Sequence, residues 1–154
     1  MPTTDVIFEQ DGPVAVITFN RPNARNAMTW PMYEALVEYC DMVEQSSSLR
    51  VLVLRGAGGK AFVAGTDITQ FREFRSEEDG VEYERRLDAV FERLESLDKP
   101  TIAAIDGVAT GGGCALAAAC DLRVCSTRSQ FGVPIARTLG NCLSAANHAR
   151  FLDL

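Results

Sequence analysis

The stretch T101-I-A-A-I-D-G-V-A-T-G-G-G-C-A-L-A-A-A-C-D121 combines an apolar run, three consecutive glycines and an alanine-rich run. Three glycines in a row are costly in backbone entropy, so this segment needs a bare main chain that another group can approach closely. Residues 101–105 predict a strand and residues 111–120 predict a helix. The glycines therefore lie where a strand leads into the N-terminus of a helix.

A second glycine-rich segment occupies the same kind of position. It is G56-A-G-G-K-A-F-V-A-G65, which follows the predicted strand V51-L-V-L-R55 and precedes a predicted helical turn at residues 67–74. A helix N-terminus offers N–H groups without intrahelical partners and the positive end of a dipole. Two such ends can hold one oxygen atom between two backbone N–H groups, which stabilises a carbonyl oxygen that gains charge.

Other interpretations of the glycines are weaker or remain open. Neither segment contains the Gly-Lys-Ser/Thr of a Walker A loop or the G-x-G-x-x-G of a dinucleotide fingerprint. The glycines could also serve only to let a helix pack closely on a strand.

The rest of the chain alternates strand and helix patterns. Residues 5–20 predict a β-hairpin around Asp11-Gly12-Pro13, and residues 122–125 predict a further strand. Helices are predicted from a Thr29 cap to about residue 45, from a Ser76 cap to about residue 97, and over roughly residues 143–152. The apolar stripe of the second helix consists of Val81, Leu87, Val90, Phe91, Leu94 and Leu97. This order predicts an α/β fold with parallel pairing after the hairpin.

Composition excludes several classes of protein. The 154 residues predict one domain, and a net charge of −6 without a basic block argues against a nucleic-acid surface. No apolar run has the length of a membrane span and no signal-peptide pattern is present, so a cytoplasmic location is expected. Five cysteines without a C-x-x-C pair predict mostly small buried side chains, and with one histidine no metal site is predicted. The chain stops inside a helical pattern, which suggests a fragment.

Several segments in chain order carry a family resemblance. They are R21-P-N-A-R-N-A-M28, A61-F-V-A-G-T-D-I68, K99-P-T-I-A-A-I-D-G-V-A-T-G-G-G-C114, the A-x-x-C-D-L-R-V pattern at 117–124, and Phe131-Gly-Val-Pro134. Together they resemble the enoyl-CoA hydratase/isomerase (crotonase) superfamily. The resemblance implies a crotonase-like spiral of ββα turns, with residues 1–154 forming an N-terminal core that lacks the C-terminal helices. It also implies an acyl-CoA thioester substrate, coenzyme A as part of the substrate and no permanently bound cofactor, and a homotrimer or hexamer at full length.

The resemblance further implies the residues of the site. The thioester oxygen is expected between the backbone N–H groups of Thr66 and Gly112. Contacts to coenzyme A and the acyl group are expected at Ala24, Arg25, Ala61, Phe62, Ala64, Gly65, Asp67, Ile68, Val108, Gly111, Pro134, Ile135 and Leu139. Arg25 either faces the phosphates or is a solvated surface arginine, and Asp67 is expected to cap a helical turn rather than to transfer protons.

The sequence departs from the hydratase pattern at two positions. Hydratases of this family use two glutamates to activate water, and the corresponding residues here are Ala115 and Ile135. Neither can exchange a proton, so two-glutamate hydration is not expected. Asn141 is the nearest counterpart of an acidic residue that relatives with other chemistry use, and its amide could orient water without deprotonating it.

Three functions are therefore compatible with the sequence. The first is a lyase or isomerase that acts on an acyl-CoA thioester, with an acid or base supplied by another residue or from beyond residue 154. The second is a paralogue that binds the coenzyme A ester and has lost acid–base catalysis. The third is an interaction protein that uses only the fold.

Overall fold

The computed structural model describes residues 3–138 and 142–152. The strands are β1 (Val6–Asp11), β2 (Val14–Phe19), β3 (Val51–Gly56), β4 (Ala61–Val63), β5 (Thr101–Ile105), β6 (Val108–Thr110), β7 (Leu122–Cys125) and β8 (Gln130–Gly132). The α-helices are α1 (Trp30–Gln45), α2 (Glu77–Glu95), α3 (Gly112–Ala118), α4 (Ile135–Thr138) and α5 (Ala145–Leu152). Three short 3-10 helices cover Pro22–Ala24, Ala57–Gly59 and Ile68–Glu73.

The strands form two sheets. The larger sheet has the order β1-β2-β3-β5-β7, and the smaller has the order β4-β6-β8. Among the strands of residues 3–138 and 142–152, β1 and β2 pair antiparallel and all other pairs are parallel. From β3 onward each strand of the larger sheet is followed by one of the smaller sheet and then by a helix. This repeated order is the predicted spiral of ββα turns, and it stacks the ends of β4 and β6 beside each other.

Helix α1 packs on β1 and β2 of the larger sheet, α2 packs on α1, and both helices contribute to the core. Met32, Leu36 and Val43 of α1 and Phe91 and Leu94 of α2 are buried. The two helices are also joined at their surface, where Arg93 forms ion pairs with Asp41 and Glu44. No helix in the described part of the chain is both long enough and apolar enough to cross a membrane.

The triple glycine that follows β6 combines a turn with close packing. Gly111 has a φ of 53°, in the region where a side chain is strained, and it precedes the first residue of α3. A Cβ at Gly113 would lie 2.0 Å from the carbonyl oxygen of Val63 in β4. The packing interpretation of the glycines is therefore correct for Gly113, which lets α3 rest directly on the backbone of the smaller sheet.

Most of the sequence-predicted elements are confirmed. The hairpin, α1, β3, α2, β5, α3, β7 and α5 all occur within a few residues of their expected bounds. Ser76 and Asp79 form a capping box at the start of α2, and the Asp67 carboxylate accepts a hydrogen bond from Thr69 N–H at the start of a 3-10 helix. Thr29 occupies the N-cap of α1, although its side chain makes no capping bond there.

The structure corrects the sequence predictions in three places. The individual strands of the smaller sheet were not located by the sequence pattern, because these three-residue strands lie inside or beside glycine-rich segments. Val81 is 59% exposed rather than buried, because it lies about 140° around α2 from the centre of the apolar stripe. Cys40, Cys114 and Cys120 are buried as expected, whereas Cys125 and Cys142 are exposed.

Candidate active site

Thr66 lies where the chain leaves β4, and its main chain is held by Met28. Met28 N–H donates to the Gly65 carbonyl oxygen at 2.8 Å, and Asp67 N–H donates to the Met28 carbonyl oxygen at 2.8 Å. These bonds form a parallel bridge between Met28 and Thr66, so the N–H of Thr66 points away from Met28. Among the described residues this N–H has no hydrogen-bond acceptor.

Gly112 is the first residue of α3. The flanking main-chain groups are used: Gly111 N–H donates to the Gly132 carbonyl oxygen at 2.9 Å, and the Gly111 carbonyl oxygen accepts from Cys114 and Ala115. The Gly112 N–H has no acceptor in the described part of the chain, as expected for the first turn of a helix. A Cβ at Gly112 would lie 3.8 Å from Thr66 N, so the two free N–H groups are neighbours.

A chain of three hydroxyl groups surrounds the same point. Thr66 Oγ1 lies 2.9 Å from Tyr33 Oη and 2.7 Å from Tyr83 Oη. Burial raises the pKa of Tyr33 far above its ordinary value and raises the pKa of Tyr83 to about 12. Both phenols are therefore neutral near pH 7. They connect α1 and α2 to the Thr66 loop through hydrogen bonds between neutral groups.

Asn26 fixes the loop that precedes α1 against the second glycine-rich segment. Its side chain is fully buried, and its Oδ1 accepts from Arg21 N–H at 2.9 Å. Its Nδ2 donates to the carbonyl oxygens of Ala57 and Ala61 at 3.0 and 2.8 Å. Asn26 thereby satisfies both ends of its amide. It aligns the entry to β4 and, through β4, the position of Thr66.

A cavity of about 130 Å³ is lined by both Thr66 and Gly112. The predicted site residues that line it are Ala64, Gly65, Thr66, Ile68, Gly111, Gly112, Pro134 and Ile135. Phe71, Tyr83 and Thr110 complete its wall. The structure thus brings together residues from the segment after β4 and from β6, α2, α3 and α4, which are far apart in the chain.

Other predicted contact residues lie outside this cavity. Ala24 and Arg25 lie in and after the 3-10 helix Pro22–Ala24, where the Arg25 side chain is exposed and its carbonyl oxygen accepts from Ala64 N–H at 3.1 Å. Ala61 and Phe62 are buried in β4, and Val108 pairs with Ala61. Leu139 and Asn141 lie outside the described residues.

Asp67 has the structural role that the sequence suggested. Its carboxylate accepts from the Thr69 hydroxyl at 2.7 Å and pairs with Arg21 at 3.0 Å. The bond from Thr69, followed by the contacts of Arg21, lowers the pKa of Asp67. The carboxylate therefore stays ionised near neutral pH and caps the 3-10 helix.

A second cavity, of about 60 Å³, adjoins the first at Tyr83, Gly111, Gly112 and Ile135. Ala115 and Ile135 both line it, so the two positions at which hydratases of the resembled family carry glutamates face one space here. Glu84 of α2 also lines this cavity, together with Ser144 and Asn147 from the region of α5.

Comparison with known proteins gives the family. Residues 9–144 match the family described as Enoyl-CoA hydratase/isomerase. The chain belongs to the enoyl-CoA hydratase/isomerase family. It is 42% identical over 134 residues to the short-chain-enoyl-CoA hydratase of Clostridium acetobutylicum, covering 87% of this chain and 51% of the relative. It is 35% identical over 130 residues to the crotonyl-CoA hydratase of Syntrophomonas wolfei, covering 84% and 50%.

The fold agrees with this assignment. A solved enoyl-CoA hydratase/carnithine racemase from Magnetospirillum magneticum superposes with a TM-score of 0.92 at 32% identity, covering 98% of this chain and 57% of that one. The predicted crotonase-like fold is thereby confirmed. The chain spans about half the length of the curated relatives it matches.

Sequence reasoning did not identify three side chains of this family member's site. Tyr33, Tyr83 and Glu84 were hidden in helix patterns, where an aromatic or a glutamate is ordinarily part of a core stripe or a solvated face. The available signal was the spacing Tyr83-Glu84-x-x-Leu87. It places a phenol and a carboxylate beside the buried face of α2 rather than opposite it.

Proposed function

We propose that this protein binds an acyl-CoA thioester and stabilises an enolate-like anion of it between the N–H groups of Thr66 and Gly112. The observation that carries the proposal is that these two N–H groups lack partners within the described residues and that Thr66 and Gly112 line one cavity. Two N–H donors aimed at one oxygen favour the charge that develops there over the neutral carbonyl. The reaction class is a lyase or isomerase step at the carbons next to the thioester.

Both donors belong to the main chain, so the pair of N–H groups does not depend on which side chains stand at these positions. Thr66 contributes its N–H whatever its side chain, and Gly112 has none. One such donor is worth roughly 3–4 kcal/mol in related oxyanion holes. The matched relatives named as short-chain-enoyl-CoA and crotonyl-CoA hydratases support a short unsaturated acyl group as substrate. Coenzyme A enters as part of that substrate, and a trimer or hexamer is proposed for the whole protein.

The proposal is tested by binding and turnover on the full-length protein. Acetyl-CoA is titrated by calorimetry, and a panel of enoyl-CoA thioesters is followed for product. We expect saturable binding and turnover of at least one short-chain thioester. No binding of any thioester would contradict the proposal.

A matched pair of substitutions isolates the donor at Gly112. Gly112→Pro removes the N–H at the first position of α3, where proline fits a helix. Gly112→Ala adds a Cβ, 3.2 Å from Tyr33 Oη, and keeps the N–H. We expect Gly112→Pro to lower kcat by roughly 10²–10³-fold, and Gly112→Ala to retain most of it. Equal losses in both variants would show that space, not the donor, matters there.

A binding protein without catalysis is the second candidate. It is favoured by Ala115 and Ile135, which line the second cavity, of about 60 Å³, with side chains that cannot transfer protons. Thioester binding without product from any member of the panel would support it. In that case, the double substitution Ala115→Glu and Ile135→Glu is expected to produce hydratase activity, and a robust wild-type reaction would exclude this candidate.

A further inference from the structure

The second cavity, of about 60 Å³, is lined by an acidic residue from a different element than the two positions where hydratases carry glutamates; we call it the inner cavity. Glu84 is half-buried on α2 and lines the cavity together with Gly112, Ala115 and Ile135. Leu87 and Phe91 of the same helix supply its apolar wall. Among the described residues lining this cavity Glu84 is the only carboxylic acid.

The placement of Glu84 is set by its neighbour in the chain. Tyr83 lines both cavities, and its hydroxyl is bonded to Thr66 Oγ1 at 2.7 Å. This bond ties α2 to the loop that presents the Thr66 N–H. The donor side of the site and Glu84 are therefore held in one arrangement, with Tyr83 as a positioning residue.

We propose that Glu84 is the acid–base group of this site and moves a proton between carbons of the bound thioester. This inference rests on the proposed thioester function. In a β,γ-unsaturated thioester, the Glu84 carboxylate takes a proton from Cα. The C–H electron pair forms the enolate, whose oxygen lies between the Thr66 and Gly112 N–H groups. Glu84 returns the proton to Cγ, which yields the α,β-unsaturated thioester and regenerates the carboxylate.

A single carboxylate suffices for this reaction because no water is added and no co-reactant is consumed. Hydration by the usual route would need two groups to hold and activate water, and Ala115 and Ile135 provide neither. The structure therefore favours a shift of a double bond over hydration.

The electrostatic surroundings of Glu84 suit proton transfer. Burial raises its pKa, and the Asp88 carboxylate one turn further along α2 adds to the effect. The Asp88 carboxylate itself pairs with Arg150 of α5 at 3.3 Å, and Glu82 pairs with Arg85 at 2.9 Å. In the described part of the chain no cation forms an ion pair with Glu84. The other titratable groups at this cavity are Tyr83 and Cys142.

The test is deuterium uptake at Cα of butanoyl-CoA in D2O, followed by mass spectrometry, with binding measured by calorimetry on the same full-length protein. Glu84→Gln is expected to slow exchange by about 10²–10⁴-fold while leaving thioester affinity unchanged. Glu82→Gln is the matched control, because Glu82 lies two residues away and lines a different, outer cavity. It is expected to exchange at the wild-type rate.

A pH profile separates proton transfer from a structural role. The wild-type exchange rate is expected to rise with pH through a pKa above that of an ordinary glutamate, because only the ionised form accepts a proton. Glu84→Asp is expected to keep a slower exchange with a displaced profile.

The outcomes distinguish this inference from the proposed function. Absence of thioester binding by the wild type overturns both. If the wild type binds the thioester but catalyses no exchange, the role of Glu84 is overturned and thioester binding stands. The same conclusion follows if Glu84→Gln catalyses exchange at the wild-type rate. A parallel loss of binding and exchange in Glu84→Gln also overturns it, since Glu84 would then only support the pocket.

Discussion

The two walls of the site are built in different ways. The wall formed by the ends of β4 and β6 presents main-chain groups, and its positions depend on glycines and on the buried amide of Asn26. The wall formed by α2 presents side chains, chiefly Tyr83 and Glu84. The N–H groups of the main-chain wall remain when most side chains are substituted. The groups of the helix wall change with each substitution, while the helix backbone stays in place.

This difference assigns the two walls different tasks in the proposed function. Under the proposed function, the main-chain wall stabilises the charge that develops on the thioester oxygen. In the proposed reaction, Glu84 of the helix wall moves the proton, and a single substitution can change this side chain. Under the same proposal, alanine at position 115 and isoleucine at position 135 leave the main-chain wall unchanged, because Thr66 and Gly112 contribute only their N–H groups.

Substitutions in the main-chain wall are expected to have the largest effects on stability. A Cβ at Gly113 would lie 2.0 Å from the Val63 carbonyl oxygen, and neither backbone can move without disturbing β4. We expect Gly113→Ala to lower the free energy of unfolding by about 3 kcal/mol or more. Urea denaturation followed by circular dichroism measures this change.

Gly80 of α2 provides the matched control. A Cβ there would meet no atom within 4 Å. Gly80→Ala is expected to raise the free energy of unfolding by about 1 kcal/mol, since alanine is the better helix former. If Gly113→Ala were as well tolerated as Gly80→Ala, close contact between α3 and β4 would not be what requires the glycine.

The buried amide of Asn26 is expected to matter somewhat less. Asn26→Ala removes three hydrogen bonds, and it leaves the carbonyl oxygens of Ala57 and Ala61 without those donors. A φ of 57° at this position adds strain for alanine. We expect Asn26→Ala to lower the free energy of unfolding by about 2 kcal/mol, measured by the same urea denaturation.

Asn23 is the control for this residue, because it lies in the same loop and is exposed. Asn23→Ala is expected to change stability by no more than about 0.5 kcal/mol. A similar small effect from Asn26→Ala would mean that the loop between β2 and α1 does not depend on the buried amide.

The sequence predicted the main-chain wall better than the helix wall, for a physical reason. Glycine runs after apolar strands report a backbone constraint directly, and the family resemblance then pointed to Thr66 and Gly112, which lie close to each other in the structure. The individual strands of the smaller sheet were not located, because strands of three residues show too little alternation to be seen beside glycines. The alternation of strands and helices was sufficient for the fold class.

The polar residues of the helix wall could not be predicted from hydrophobic periodicity. A hydrophobic stripe reports which face of α2 is buried, and it correctly identified Leu87, Phe91 and Leu94. It carries no information on polar groups at the edge of that face, such as Tyr83 and Glu84. Their proximity to Gly112 depends on how α2 lies across the ends of β4 and β6, which only tertiary structure determines.

Breaking the chain of hydroxyl groups that joins the two walls is expected to have the smallest effect on stability. Tyr83→Phe keeps the ring, which packs edge-on against Phe71 at 4.9 Å between centroids, and removes the bond to Thr66 Oγ1. We expect Tyr83→Phe to lower the free energy of unfolding by about 1 kcal/mol. A double-mutant cycle with Thr66→Val should give a coupling energy of similar size. Tyr39→Phe is the control, because the Tyr39 ring packs on Phe8 and its hydroxyl bonds to no side chain within the described residues. Additive effects of Tyr83→Phe and Thr66→Val would mean that the phenol does not connect α2 to the Thr66 loop, and the two walls would then be positioned independently.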